Sequence, residues 1–188
     1  MPAPISERQN LLDRESLLDA AERLFYQRGI QAVGMDEVRT ASGLPLKRIY
    51  RLFAAKEELV VAMLRRRDLR WRGDLAAHVE RAGDPLERVL AVFDWLSGWF
   101  AEPGFRGCAW INAYGELGSS SPAVLAEVRA HKRAFHDQIA DWVRATGAPA
   151  EEQVYLLAEG AIVTAAITGD PAAAGHARAA AAALLRQA

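Results

Sequence analysis

Five basic side chains and no acidic one lie in the short stretch from Val38 to Lys56. Long cations beside an aromatic residue such as Tyr50 suit a groove lined with phosphates, because acidic side chains there would repel the phosphates. A basic helix face that contacts only water would show the same pattern. The chemistry that this stretch indicates is polyanion binding, and its basic residues are Arg39, Lys47, Arg48, Arg51 and Lys56.

Two short helices joined by a turn are predicted to present these bases. The helices are expected near 35–41 and 45–53, and Ser42-Gly43-Leu44 forms the turn between them. Glycine suits this turn because its backbone conformation is costly for residues with a Cβ. The arrangement matches a helix-turn-helix motif. Its buried side is predicted to contain Val38, Leu44, Ile49 and Phe53, and its opposite side Lys47, Arg48, Tyr50 and Arg51.

Composition and charge limit the class of protein. The 188 residues are 51% hydrophobic and 25% charged, which is typical of a globular chain. Residues 1–70 have 13 basic and 10 acidic residues, a net charge of +3, whereas residues 71–188 have 10 and 14, a net charge of −4. A polyanion partner is therefore expected for the amino-terminal part only.

The compartment is predicted from cysteine use and from hydropathy. Cys108 is the only cysteine, so no internal disulfide can form and nothing indicates secretion. The first ten residues lack the apolar core of a signal peptide. The weakly polar run at 160–169 is too short to cross a bilayer. We therefore expect a cytoplasmic protein without a membrane segment.

Nearly every segment of the chain has apolar residues at helical spacing, and no alternating strand pattern is visible. Gly29 is expected to end the first helix, and Asp84-Pro85 to begin the fifth. We predict an all-α fold of about nine helices, with an amino-terminal three-helix domain joined to a larger helical body. The predicted helices lie near 14–27, 35–41, 45–53, 56–81, 85–101, 108–117, 120–146, 151–168 and 171–187.

Residues 14–64 resemble the DNA-binding domain of the TetR/AcrR family of transcriptional regulators. The segment "LLDAAERLFYQRGIQAVGMDEV" is similar to that family's first helix and the entry to its second. The segment "ASGLPLKRIYRLFAAKEELV" is similar to its turn, recognition helix and the start of helix four. The resemblance covers about 50 residues and favours DNA binding over the alternative of a basic helix face that contacts only water.

The resemblance implies a function and a division of labour. Residues 1–55 would form the helix-turn-helix domain, and residues 56–188 the effector-binding and dimerisation domain. The protein would be a homodimeric regulator, expected to be a repressor, that binds an inverted-repeat operator in double-stranded DNA and leaves it when an effector binds. The residues implied to contact DNA are Leu46, Lys47, Arg48, Tyr50, Arg51 and Lys56. Arg48 or Arg51 is expected to read bases, and Lys56 to bind phosphate.

Four positions depart from the family pattern, through three changes. Val33 and Gly34 replace hydroxyl residues that cap helix two and contact phosphate. Arg39 replaces a small residue, which questions the local packing unless its stem points outward. Lys47 replaces a glycine and adds a cation. None of the three breaks the motif.

Aromatic residues are concentrated in residues 85–155. A plain helical core explains each of them singly, but together they suggest a pocket for a small apolar or aromatic effector. For His131, a core histidine with its hydrogen bonds satisfied is the favoured alternative. The predicted pocket residues are Phe93, Leu96, Phe100, Trp110, Asn112, Tyr114, His131 and Phe135.

The last two predicted helices are rich in small and apolar residues. Small residues permit close helix approach, and an exposed helix of this composition would be an adhesive patch. The resemblance implies a two-fold dimer through these helices, and the alternative is a final helix packed within its own chain. The predicted interface residues are Gly160, Ala161, Ala165 and Leu184.

Catalytic and metal chemistry find little support. His131 and His136 are five residues apart, so they do not share a helix face, and no neighbouring ligand spacing completes a metal site. Cys108 is interpreted as a buried thiol, although a helix start could lower its pKa. We expect no enzyme activity, cofactor or metal. The alternatives are a small helical enzyme that uses the aromatic pocket and a ligand-binding scaffold without DNA binding.

Overall fold

The computed structural model describes residues 6–186, which form nine helices and no strand. The predicted all-α fold is confirmed, with one helix at each predicted place. The helices are α1 (Glu7–Arg28), α2 (Met35–Ser42), α3 (Leu46–Leu52), α4 (Lys56–Val79), α5 (Pro85–Phe100), α6 (Ala109–Leu117), α7 (Pro122–Arg144), α8 (Glu151–Thr168) and α9 (Ala172–Arg186).

The prediction was least accurate at the start of α1, which begins at Glu7 and not near residue 14. Ser6 caps this helix, because its hydroxyl accepts a hydrogen bond from the backbone N–H of Gln9 at 3.2 Å. Leu11 and Leu12 are exposed, so the first turns show no buried apolar face in the sequence. The predicted end of the last helix at residue 187 lies outside the described residues.

Gly43 and Asp84 lie at helix ends, as predicted from their residue types. Gly43 ends α2 in the left-handed conformation (φ 69°, ψ 8°), where it leads directly into the turn of the helix-turn-helix. Asp84 caps α5 by accepting from the backbone N–H of Glu87 at 2.9 Å, and Pro85 occupies the first turn. Both predictions are confirmed.

The described residues divide into two compact units. The first unit contains the residues up to Arg67 together with Asn112–Val128, and the second contains Asp68–Ile111 with the residues from Arg129 onward. The units do not coincide with residues 1–55 and 56–188, because the start of α4 and part of α6 and α7 pack within the first unit. The functions assigned to those two segments remain a prediction.

Within the first unit, α1, α2 and α3 pack together around an apolar core. The core is closed by the start of α4, and its fully buried members include Leu17, Val38, Ile49, Leu59 and Leu64. A fully buried leucine or isoleucine stabilises such a core by about 1.5–3 kcal/mol relative to leaving it exposed. This core fixes the orientation of α3, and therefore of the bases on its other side.

Within the second unit, α5, α8 and α9 pack against one another. Small residues permit the close approach, since Ala158, Ala161, Ala174 and Ala181 are all buried. The remaining core of this unit is large and aromatic, and it includes Trp71, Phe93, Trp99, Trp110 and Phe135.

Candidate nucleic-acid interface and aromatic cluster

Helix α3 has one buried side and one exposed side. Ile49 is fully buried, and Phe53 follows it into the core just after the helix ends. Lys47 and Arg51 are exposed, and so is Tyr50, with 45% of its surface accessible. Leu46 is exposed at the start of the helix. The structure therefore brings four of the six predicted DNA-contacting residues to one accessible surface.

Arg48 is placed differently from the other bases of α3. Its Nε donates to Oδ2 of Asp13 at 2.7 Å, and its Nη2 donates to Oδ1 of Asn10 at 2.5 Å, so it holds α3 to α1. Only 11% of its side chain is accessible. Hydrogen bonds from Gln9 and then from Arg48 hold the pKa of Asp13 below its ordinary value. Arg48 is committed to contacts within the first unit.

Lys56 is also engaged within the first unit. Its Nζ donates to the backbone carbonyls of Ile30 at 2.5 Å and Val33 at 2.6 Å. It also lies 5.5 Å from the ring centre of Phe25, a cation–π distance. Burial lowers the pKa of Lys56, although the carboxylates of Glu116 and Glu37 oppose that change. The predicted phosphate ligand therefore binds the loop between α1 and α2.

The start of α2 explains two departures from the family pattern. Gly34 is the cap residue and has no side chain to accept a hydrogen bond, but its N–H donates to Oε1 of Glu37 at 3.1 Å, which is the carboxylate half of a capping box. Arg28 pairs with the same carboxylate. That backbone bond and the Arg28 bond lower the pKa of Glu37. Val33 is fully buried as a core residue.

Arg39 points outward, which resolves the question about its packing. Its Nε lies 3.3 Å from Oδ1 of Asp36, one turn earlier in α2, and 46% of its side chain is accessible. Val38 is the buried residue of this helix. The long side chain therefore does not separate the two helices of the motif.

Two arginines of α4, Arg66 and Arg67, form ion pairs with acidic residues of α1. Arg66 pairs with Glu15, Asp19 and Glu22 at 2.7–3.1 Å. Arg67 pairs with Glu22 at 2.7 Å and lies 4.2 Å from the ring centre of Tyr26. These two arginines hold α4 to α1.

Trp71 lies at the centre of an aromatic cluster in the second unit, and the sequence prediction did not include it. Its ring centre is 5.0–6.4 Å from those of five other rings, in edge-on arrangements typical of aromatic packing. The five are Trp95, Trp99, Trp110, His131 and Phe135. Trp71 follows three arginines and an aspartate, which concealed its helical spacing with Leu64 and Leu75.

The indole Nε1 of Trp71 is buried and has no hydrogen-bond partner among the described residues. Trp71 itself is 7% exposed, so water does not satisfy this donor from outside. A buried donor without an acceptor costs about 1–3 kcal/mol. Such a donor inside an apolar cluster is a ready point for a ligand acceptor.

His131 is held by a polar network beside this cluster. Its Nδ1 lies 2.6 Å from Oδ1 of Asp68. The carboxylate of Asp68 also accepts two hydrogen bonds from Arg72, at 2.8 Å on Oδ1 and 2.7 Å on Oδ2. Its ring stacks on Trp110 with 3.4 Å between the ring centres. Burial lowers the pKa of His131. Burial opposes ionisation of Asp68 too, but the bonds from His131 and Arg72 lower its pKa to about 2.

The predicted pocket residues are distributed over both units. Six of them are buried members of the second unit: Phe93, Leu96, Phe100, Trp110, His131 and Phe135. Asn112 and Tyr114 are exposed and belong to the first unit. The cluster around Trp71 is therefore the better-defined candidate for an effector site.

The predicted interface residues are divided in a similar way. Ala161 and Ala165 are buried within the chain, whereas Gly160 and Leu184 are exposed. The structure adds an exposed apolar row on α8, which the sequence prediction missed. Its residues are Leu156, Val163 and Ile167, and Ile167 is 78% exposed.

Cys108 is buried beside an ion pair. The Nζ of Lys132 is 3.6 Å from its Sγ and donates to both carboxylate oxygens of Glu159 at 2.5–2.7 Å. Burial raises the pKa of the Cys108 thiol. The thiol is therefore protonated at neutral pH and a poor nucleophile.

Among residues 6–186, no group of three or more His, Cys, Asp and Glu side chains is arranged to hold a metal ion. No helix among these residues is both long and apolar enough to span a membrane.

Comparison with known proteins agrees with the helix-turn-helix. Residues 17–63 match the family described as "Bacterial regulatory proteins, tetR family". An HTH-type transcriptional regulator of Mycobacterium tuberculosis strain H37Rv is 35% identical over 86 residues, which are 46% of this chain and 43% of that protein. The HTH-type transcriptional repressor NemR of Escherichia coli strain K12 is 29% identical over 106 residues, 55% of this chain and 53% of NemR. The chain thus matches about half the length of these curated relatives.

The likeness in three dimensions extends further along the chain. A TetR-family transcriptional regulator from Streptomyces coelicolor has a crystal structure that superposes with a TM-score of 0.85 and 28% sequence identity. The match covers 94% of this chain and 96% of that one. The family model thus matches the helix-turn-helix, and the structural match to a TetR-family regulator covers nearly all of the fold.

Proposed function

We propose that this chain is a homodimeric, ligand-responsive transcriptional regulator that binds an inverted-repeat DNA operator and is released from it by a small apolar or aromatic effector. The observation that carries the proposal is the surface of α3, where Lys47, Tyr50 and Arg51 are exposed and Ile49 anchors the helix from behind. The matched relatives are named as transcriptional regulators, which supports this role over an enzyme.

Each exposed residue of α3 has a chemical role at DNA. Arg51 carries the base reading, because a guanidinium donates two parallel hydrogen bonds to guanine, a contact that contributes about 1–3 kcal/mol of discrimination. Lys47 and Tyr50 position the helix through phosphate contacts. Leu46 offers an apolar contact to a thymine methyl group. Arg48 supports α3 from α1 and does not reach the DNA.

A dimer supplies the second recognition helix. Two such helices about 34–36 Å apart fit successive turns of the major groove, which accounts for an inverted repeat. On α8, Leu156, Gly160, Val163 and Ile167 are separated by four, three and four residues, so they share one exposed face. With Leu184 of α9 they form the proposed contact surface. Ala161 and Ala165 support this surface from inside the chain.

The effector site is proposed at the cluster around Trp71. The surrounding rings favour a planar apolar molecule, and the unpartnered indole N–H favours one that also carries an oxygen or nitrogen acceptor. His131, fixed by Asp68, supplies a second polar edge. Binding there weakens operator binding if the effector prefers a form in which the two recognition helices are wrongly spaced.

The test is selection of operator fragments from the host genome with the purified protein. Selected fragments should contain an inverted repeat, and affinity should fall steeply with salt because phosphate contacts release counterions. A reporter gene behind a selected fragment should be repressed when the protein is present. Failure to enrich any fragment, or binding that does not depend on salt, would overturn the proposal.

A further inference from the structure

The loop between α1 and α2 is held by two charged side chains from elsewhere in the first unit. The carboxylate of Glu116 accepts the backbone N–H of Ile30 at 2.9 Å with Oε1 and that of Gln31 at 2.7 Å with Oε2. The side-chain amide of Gln31 donates to the backbone carbonyl of Glu116. Bonds between a carboxylate and backbone N–H groups are stronger than neutral ones.

The backbone carbonyl groups of the same loop are bound by Lys56. Its ammonium donates to the carbonyls of Ile30 and Val33, so Ile30 is bound at both its N–H and its C=O. Gly29 allows the close approach of Glu116, because a Cβ there would lie 3.3 Å from Oε2 of that carboxylate. The backbone that enters α2 is thereby fixed between an anion and a cation.

The loop supplies no side-chain oxygen to cap α2, whose own Glu37 bonds back to the N–H of Gly34. Gly34 has no side chain with which to cap α2, and Val33 faces the core. The direction in which α2 leaves the loop, and with it the orientation of α3, therefore depends on what holds Ile30, Gln31 and Val33. Glu116 and Lys56 supply four of the hydrogen bonds that do so.

Both helices that hold the loop continue into the second unit. Helix α4 begins with Lys56 and later carries Trp71, whereas α6 carries Trp110 before it reaches Glu116. The rings of Trp71 and Trp110 lie 6.4 Å apart in the aromatic cluster. Each of the two helices that hold the loop therefore also contributes a ring to that cluster, as α5 and α7 do.

We propose that Glu116 and Lys56 are positioning residues that set the helix-turn-helix for operator binding by fixing the backbone of the loop at Gly29–Val33. The proposal rests on the proposed function, and it assigns Lys56 to the loop and not to a phosphate.

Glu116→Gln and Lys56→Met test the two contacts with little change in side-chain length. Glu127→Gln is the matched control, because Glu127 accepts a hydrogen bond from Arg65 at 2.5 Å in the same unit without touching the loop. Affinities are measured for a selected operator fragment and for an unrelated duplex over a range of salt concentrations. Amide hydrogen exchange reports on the Ile30 and Gln31 N–H groups.

Glu116→Gln and Lys56→Met should each lower affinity for the operator fragment about tenfold, within the range typical of coupling between sites. Affinity for the unrelated duplex should stay unchanged, because it depends on phosphate contacts. The salt dependence of operator binding should be the same for Lys56→Met as for the unmodified protein. Arg51→Ala, which removes a proposed direct DNA contact, should lower operator affinity without changing amide exchange at Ile30 and Gln31. Glu116→Gln should also speed exchange at Ile30 and Gln31.

Three results would overturn the inference. Lys56→Met could reduce the salt slope by about one, as a phosphate contact does. Glu116→Gln could bind the operator as tightly as Glu127→Gln does. Unchanged exchange at Ile30 and Gln31 in Glu116→Gln would also contradict it. If Glu116→Gln does not fold, Glu116→Asp, which withdraws the carboxylate by one methylene, is judged by the same measurements. Absence of operator binding by the unmodified protein would instead refute the proposed function, and amide exchange would still report on the loop.

Discussion

At the scale of single residues, two side chains of the same type can have different roles because their structural surroundings differ. Arg48 and Arg51 lie three positions apart on α3, and from the sequence either one or the other is expected to read bases. Arg48 is almost covered by its contacts with Asp13 and Asn10, whereas Arg51 is exposed. Arg48 therefore contributes to the fold, and Arg51 is the one that we propose for recognition.

The first prediction separates these two arginines. Arg51→Ala should weaken operator binding by about 1–3 kcal/mol and relax base preference at one position, with little effect on stability. Arg48→Ala should lower the free energy of unfolding, because it removes the bonds of Arg48 to Asp13 and Asn10 and so loosens α3 from α1. DNA titration and urea unfolding measure the two effects. Asp13→Asn should destabilise similarly and should not add to Arg48→Ala in the double variant; full additivity would contradict the pairing.

The second prediction concerns the pH dependence of stability at two histidines. Burial lowers the pKa of His131 below 6.5, so the unfolded chain binds its proton at a higher pH and stability falls as the pH drops through 6.5. His136 has a raised pKa because Glu152 and then Asp137 bond to it, so the stability it contributes is present below pH 6.5 and lost as pH rises through its folded pKa.

Urea unfolding between about pH 7.5 and about pH 5.5 checks both signs. His131→Gln should flatten the loss of stability towards acid, and His136→Gln should steepen it. Asp68, with a pKa of about 2, does not titrate in this window. Two variants with the same pH profile as the unmodified protein would show that neither histidine has the assigned surroundings.

At the scale of elements, the sequence predicted which helices exist better than what their side chains touch. Gly43 and Asp84 marked helix ends by local chemistry, which requires no knowledge of tertiary structure. The missed start of α1 depended on a single serine cap with no apolar face behind it. The roles of Lys56 and Glu116 depend on groups 23–86 residues away in the chain, which spacing cannot reveal.

The third prediction compares one substitution at two glycines. Gly43→Ala should lower the free energy of unfolding by about 1–2 kcal/mol, because φ is 69° and a Cβ is costly in the left-handed region. Gly73→Ala should raise it by about 0.5–1 kcal/mol, because Gly73 lies inside α4 with open space around its Cβ position. Thermal and urea unfolding measure both. The same sign for both variants would contradict the turn geometry.

At the scale of the whole molecule, one chain presents only one recognition helix and leaves apolar side chains of α8 exposed. The fourth prediction is that Ile167→Lys disrupts the dimer, because it places a charge in the proposed contact surface and removes about 1.5–3 kcal/mol of burial per copy. Sedimentation at micromolar concentration should show a dimer for the unmodified protein and a monomer for Ile167→Lys.

Leu69→Lys is the control for this experiment, because Leu69 is 72% exposed on α4 and lies outside the proposed surface. It should remain dimeric, and both variants should keep their helical circular dichroism. Dimeric Ile167→Lys, or a monomeric unmodified protein, would count against this interface.

The last prediction concerns the effector and follows from the unpartnered donor of Trp71. An aromatic compound that carries a carbonyl or ether oxygen should quench tryptophan fluorescence and release the operator with one concentration dependence. Its analogue without the oxygen should require a higher concentration, by about tenfold for a lost bond to a buried donor of about 1.4 kcal/mol.

Trp71→Phe keeps most of the ring and removes the N–H, so it should abolish the difference between the two compounds. Trp95→Phe should preserve that difference, because Trp95 packs on Trp71 but its own N–H is not the proposed donor. By reciprocity, bound operator should weaken binding of the oxygen-containing compound by the factor with which that compound weakens operator binding. If Trp71→Phe still distinguishes the two compounds, the acceptor is recognised elsewhere, and the cluster around Trp71 is a packed core and not the effector site.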